Sequence, residues 1–141
     1  MANLPGHLSD DTTIGDDRWL LRRVHPHWVH GEQPDSSNFR HPDDEQSGWS
    51  STLFDSEIDI EDIIRDHENF GVLRVQVIAL RNENLSIVRV PLDENPNHCE
   101  VYGELGPSKK KIHRRLKKQA LWVRYPDTVP IDIRNPIIPI E

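Results

Sequence analysis

The sequence predicts an α+β domain: a small antiparallel sheet with two helices packed on one face. Three observations predict it. GVLRVQVIAL alternates, with Leu73, Val75, Val77 and Ala79 on one side and Arg74 and Gln76 on the other, which is the period of a half-buried strand. In DSEIDIEDIIRDHENFG, Ile60, Ile63, Ile64 and His67 recur at helical spacing. In SKKKIHRRLKKQA, Leu116 and Ala120 fall within about 80° of Ile112, while Lys110, Arg114, Lys117 and Lys118 take the opposite side.

Taken in order, residues 1–17 combine Gly, Pro, Ser, Asn and four Asp without an apolar period and read as a disordered leader. A single domain is expected over residues 18–125. WLLRRV, residues 19–24, is the first strand and stops where Pro26 denies the ladder a donor. Residues 31–51 are turn formers and predict a long irregular segment, the kind of loop that is often functional. Ser56 followed by Asp59 makes a capping-box-like start for the first helix, acids crowd its first turn, and Gly71 is placed to end it.

The alternation from residue 72, the RNEN turn and LSIVRV together predict a β-hairpin over 72–90, with Pro91 closing it. A short strand follows near residues 100–102. Ser108 caps the basic helix, whose apolar stripe extends by spacing to Val123. The tail YPDTVPIDIRNPIIPIE is too rich in proline for helix, and residues 126–141 read as an extended arm.

Charge is divided unevenly. Residues 1–104 hold 21 acids against 8 arginines, a net −13, while residues 105–141 hold 9 basic residues against 3 acids, a net +6. No lysine precedes Lys109. A bulk field of −7 repels phosphate, so the chain is not a general nucleic-acid binder, and any polyanion or RNA would be met locally, at the basic helix. The lone Cys99 makes no intrachain disulfide and points to the cytoplasm. No stretch approaches the roughly 20 apolar residues that cross a bilayer, and no membrane partner is expected.

Three clusters carry candidate chemistry. On the basic helix, Lys110, Arg114, Lys117 and Lys118 form a docking face for an acidic protein surface or a polyanion, or else a solvated face that complements the acidic half of the chain. HPHWVH sets His25 and His27 at the spacing by which an extended chain presents two imidazoles to a transition metal, with His30, His41, His98 or Cys99 as third ligand. The bland alternative is a pair of hydrogen-bonded surface histidines. NPNHCEVYGE offers Cys99 as a nucleophile with a base supplied from elsewhere, by His25 or His113, against a turn that half-buries the thiol. Ser36, Ser37 and Trp49 are placed to line a polar pocket. P-loop, dinucleotide-binding, nucleophile-elbow and zinc-protease signatures are absent.

LLRRVHPHWV, SSNF and NPNHCEVYGE, followed by a basic segment ending in ALWV, resemble short motifs of small uncharacterised bacterial proteins, some from defence or conflict gene neighbourhoods. The resemblance spans residues 18–125 and implies a component that works with other gene products. The expected function is a non-enzymatic adapter, contacting a protein partner through the basic helix and through Ile137 and Ile138 of the arm. The enzyme alternative is a histidine- or metal-dependent hydrolase, such as a nuclease, with His25, His27 and His98 at one end of the sheet. A third reading is a regulator whose acidic half mimics nucleic acid.

Overall fold

The computed structural model describes residues 10–39, 48–56, 58–103 and 109–140. Leader residues 1–9, His41 and Ser108 lie outside them. Six strands form one sheet in the order β6-β7-β4-β1-β5-β8, every neighbouring pair antiparallel: β1 (Trp19–Val24), β4 (Trp49–Leu53), β5 (Gly71–Gln76), β6 (Ser86–Arg89), β7 (His98–Tyr102) and β8 (Leu121–Arg124). A separate two-stranded ribbon joins β2 (Val29–His30) to β3 (Gln33–Pro34). The helices are α1 (Ile58–Ile64), α2 (Val77–Arg81) and α3 (Lys109–Gln119). The α+β class and the antiparallel sheet are therefore as the sequence predicts.

The helices do not share a face. Strand residues alternate in direction, so Leu20 and Val24 of β1 point to one side with Trp49, Leu53, Leu73, Val75, Ile87, Cys99 and Val101, where Ile112 and Leu116 of α3 and Leu80 of α2 cover them. Leu21 and Val72 point to the other side and meet Ile60, Ile63 and Ile64 of α1. Both sides of β1 are apolar, and each face therefore needs its own cover. The first side is called the inner face below, the second the outer face.

The hairpin over 72–90 does not form. β5 and β6 lie near opposite edges of the sheet, because the chain leaves β5 into α2 instead of a tight turn. Val77 and Leu80, three apart, are both buried, so the alternating period changes to a helical one at Gln76. The helix ends with Asn84 in the left-handed region (φ 61°); Leu85 N–H bonds Leu80 O at 3.1 Å and Asn84 N–H bonds Arg81 O at 3.0 Å. This is the double hydrogen bond that usually employs glycine, with asparagine in its place. RNEN is thus a helix exit.

In α1, the Asp59 carboxylate accepts from the N–H of Ser56 (2.8 Å) and of Asp55 (2.7 Å), the half of the capping box legible in the sequence. The helix stops at Ile64, earlier than its periodicity suggests, and Asp66 turns the chain at φ 64°. Gly71 opens β5 instead of ending the helix. A Cβ there would lie 2.7 Å from the Trp122 ring and 2.7 Å from Pro126, so this glycine permits the close approach of β8 and the chain after it.

Leader residues 10–17 are anchored to the domain, contrary to their composition. Ile14 is fully buried in the inner core. Arg81 donates to Ile14 O (2.8 Å), Asp11 O (3.0 Å) and the Asp16 carboxylate (2.6 Å), and Asp11 pairs with Arg89 at 2.9 Å. Three of the four acids that suggested disorder, Asp10, Asp11 and Asp16, are partners of distant arginines. Asp10 Oδ1 and Asp11 N–H also satisfy the N–H and C=O of Ile87, covering the edge strand β6.

The arm, residues 126–140, has no strand but is tied down. Tyr125 Oη accepts from Asn135 N–H (3.0 Å), Arg134 donates to Val129 O (2.9 Å), and Ile140 packs on the outer core. Among the described residues no helix is long and apolar enough to cross a membrane.

Candidate functional site: a cleft where the sheet forks

β1 and β4 are adjacent, yet they pair only at Leu20↔Leu53 and Leu21↔Thr52. Beyond that point β1 stays with β5 as far as Val24↔Gly71, and β4 stays with β7 as far as Trp49↔Val101. The two strands part, and Arg22 fills the fork. Its Nε–H donates to Asn38 O at 2.6 Å and Nη1 to Ser50 O at 2.5 Å, with the guanidinium 5.0 Å from the Trp49 ring centre. Asn38 is itself held by bonds from its amide to Asp35 O (2.7 Å) and Trp28 O (3.1 Å). The side chain thus replaces the ladder bonds that diverging strands cannot make.

The fork opens into a cleft of about 980 Å³. β1 and the turn after it supply Arg22, Arg23, His25 and Trp28; β4 supplies Trp49, Ser50 and Thr52; the segment before β7 supplies Glu94 and Asn95, and β7 supplies His98. Asp62, Arg65, Asp66 and Phe70 of α1 and its exit form the far wall. Register explains part of this set. Leu21 stands opposite Thr52 and Thr52 opposite His98, so the three share one row across β1, β4 and β7.

Of the sequence-predicted residues, His25 and His98 line the cleft and His27 does not. His27 stacks on His25, ring centres 4.7 Å apart at 16°. Imidazole lone pairs lie in the ring plane, so stacked rings present them side by side and do not converge on one ion. His25 Nδ1 is also occupied, accepting from His27 N–H at 3.1 Å. The H-x-H spacing fails as a chelate because residues 26–28 form a 3-10 turn and not a strand. Among the described residues, no group of three or more His, Cys, Asp or Glu side chains is placed to hold a metal. His30 bonds Asp35 at 2.9 Å instead.

His98 and Cys99 separate as strand neighbours must. Cys99 belongs to the inner core, and burial pushes its thiol pKa up to about 11. A thiol so desolvated is a packing group and not a nucleophile. His98 Nδ1 lies 3.0 Å from Val90 O. A carbonyl only accepts, so Nδ1 carries the proton and Nε2 holds the lone pair in the neutral ring.

On α3, Ile112, His113 and Leu116 are buried, and Lys110, Lys111, Arg114 and Lys118 are exposed. Arg115 forms a two-pronged pair with Glu83 (2.6 and 2.8 Å), which holds Glu83 below the ordinary carboxylate range. Lys117 is half-buried, and Val123 of the anticipated stripe is in β8 instead, on the outer face. Ile137 and Ile138 line a second cleft of about 770 Å³ with Ile60, Ile64 and Val123.

Sequence reasoning missed Arg22, Arg23, Trp28 and Thr52 as site residues. A signal was present: two consecutive arginines inside WLLRRV, otherwise the most apolar strand candidate, need an unusual environment. Ser36 and Ser37 fall in the 3-10 turn Ser36–Phe39, whose last residue seals the inner core. Comparison of the chain with protein-family models, with curated proteins and with solved structures gave no match.

Proposed function

We propose that this chain is a non-enzymatic binding component of a multi-protein system, acting in the cytoplasm and docking on an acidic protein surface through α3. The observation that carries this reading is the distribution of charge on that helix. Arg115 is neutralised by Glu83, whereas among the described residues Lys110, Lys111, Arg114 and Lys118 are exposed and no carboxylate is paired with them. Lysines in the first turn oppose the helix dipole, so their position is not accounted for by the helix's own stability. The resemblance to bacterial defence or conflict components supports a protein partner over a nucleic acid, as does the net charge of −7. Capture of partners from the native host should fail for the variant Lys110→Glu, Arg114→Glu, Lys117→Glu while its circular dichroism stays that of the parent. Undiminished capture by that variant rules α3 out.

One observation favours a second reading. His25 and His98 share a cleft with Arg22 and Arg23, an arrangement in which His98 Nε2 accepts a proton and the arginines hold a phosphate, as a hydrolase or nuclease requires. Phosphodiester turnover lost in His98→Gln would establish it, and its absence in the parent would dismiss it.

A further inference from the structure

We infer that the β1–β4 fork is a binding site for a small ligand carrying an oxyanion, a phosphate or a carboxylate, gripped by Arg22 and Arg23. The inference is independent of the reading of α3.

Its first support is the state of Arg22. Arg22 is half-buried in the fork, and among the described residues its guanidinium has no carboxylate partner. Two backbone carbonyls take Nε–H and one Nη1–H, and among the described residues the rest of its five donors have no acceptor. Carbonyl dipoles offset part of the desolvation cost of a half-buried cation but do not neutralise it, so a counter-ion would stabilise it there. Desolvation first, and the neighbouring Arg23 second, pull the Arg22 pKa down to about 10.

The second support is that Arg23 adds like charge where a structural cation would need the opposite. Its Nη1 makes one long bond, 3.3 Å to Ile63 O, and its guanidinium lies 5.5 Å from the Phe70 ring centre. Of the acids around the cleft, Asp62 is paired with Arg65, a neighbour on its own helical turn. Asp66 and Glu94 are exposed positions of the surrounding loops. Arg22 and Arg23 both line the cleft and neither is paired with a carboxylate among the described residues, so the site admits an anion.

The third support is the neutral lining. Thr52 Oγ1 accepts from Asn95 Nδ2 at 2.9 Å, which leaves its own O–H to donate, and Ser50 is one residue from the Trp49 platform. Trp28, 38% exposed, and Phe70 offer flat apolar walls for whatever bears the charge. A volume of about 980 Å³ suits a ligand of small-molecule size.

The test is a nuclear magnetic resonance titration of the full chain at low ionic strength, with inorganic phosphate in one arm and acetate in the other. Saturable shifts are expected at the amides of Arg22, Arg23, Ser50 and Thr52, and the anion giving the tighter curve identifies the oxyanion. Arg23→Gln should weaken that binding at least about tenfold, because a charge-assisted contact is lost. Arg22→Lys keeps the charge without the fork-shaped donors and should weaken it too. If Arg22→Lys perturbs the fold, Arg23→Gln decides, since among the described residues Arg23 makes one long hydrogen bond, to Ile63 O. The proposal is overturned if neither anion shifts the fork, or if Arg23→Gln binds as the parent does. It is equally overturned if the shifts lie on α3 and vanish in the Lys110, Arg114, Lys117 charge reversal, an outcome that would strengthen the docking role of α3.

Discussion

The two faces of the sheet are built to different standards. Against the inner face, α2, α3, Phe39 and Ile14 close over a continuous apolar layer from Ile87 to Val75, with Cys99 inside it. On the outer face, three buried residues, Leu21, Ile64 and Val72, carry a small core under α1 and Ile140, and the part over β4 and β7 is polar and open to the cleft. The difference teaches that stability and binding are separated by strand alternation. One strand, β1, contributes Leu20 and Val24 to the larger core, Leu21 to the smaller, and two arginines to the fork.

The sharpest way to break that comparison is to cut equivalent side chains on each face. Leu20→Ala, fully buried on the inner face, should cost about 2–5 kcal/mol, since the close-packed surroundings cannot collapse into the cavity. Ile60→Ala, half-buried on the outer face, should cost only about 1 kcal/mol. Urea denaturation at neutral pH reads both. Equal losses would mean that the outer layer is as closely packed as the inner.

Next in size are two arginines that have no carboxylate partner among the described residues. Arg22→Met leaves Asn38 O, a part-buried acceptor, without its donor, at about 1 kcal/mol, while Ser50 O, on an exposed residue, can bond water instead. Arg74, on the outer face, makes a different contact: its guanidinium lies 4.4 Å from the Trp19 ring centre, and its buried Nε has no hydrogen-bond partner among the described residues. Burial lowers its pKa. Arg74→Met loses a cation–π contact but also a desolvated charge, so thermal unfolding should show no change or a gain of at most about 1 kcal/mol. A large loss from Arg74→Met would reveal a role beyond packing.

The contrast between faces also explains which parts of the fold were legible in the sequence. β1, α1, β7 and α3 announce themselves because each keeps one period, and Asp59 adds a local cap to α1. What misled was local similarity with non-local resolution. VQVIAL carries strand-like alternation across a boundary that only the burial of Val77 and Leu80 converts to helix. WSSTL is too polar to read as a central strand, and becomes one because β1 and β7 pair with it on both sides. ALWV was absorbed into the helix by a period that continued past its end, and pairing with β5 makes it strand β8.

The candidate site was half legible for the same reason. His25 and His98 were visible as residue types and the cleft does join them, whereas the reading of His25 and His27 as a metal pair assumed an extended chain across Pro26. Arg22 and Arg23 matter because β1 and β4 part company. A divergence of two strands about thirty residues apart in sequence has no local signature.

The smallest effect concerns the charges that fasten the inner layer, and its sign follows from linkage. Glu83 ties α2 to α3 through Arg115, and Asp11 ties the leader to β6 through Arg89. The Asp11 carboxylate is held below its ordinary range chiefly by hydrogen bonds from Thr13, with Arg89 contributing; Glu83 is held down chiefly by Arg115. For a carboxyl whose folded pKa is depressed, the stabilisation is fully present above the unfolded value and is lost as pH falls through the folded one. Both pairs therefore contribute at neutral pH and fade only below the ordinary carboxylate range. Glu83→Gln should lower the urea midpoint slightly at pH 7, less than any core change, because an ion pair with an exposed arginine is weak. Below the folded pKa of Glu83 the parent and variant midpoints should converge. Were the gap to persist in acid, the Glu83 contribution would be packing of α2 on α3 and not its ion pair with Arg115.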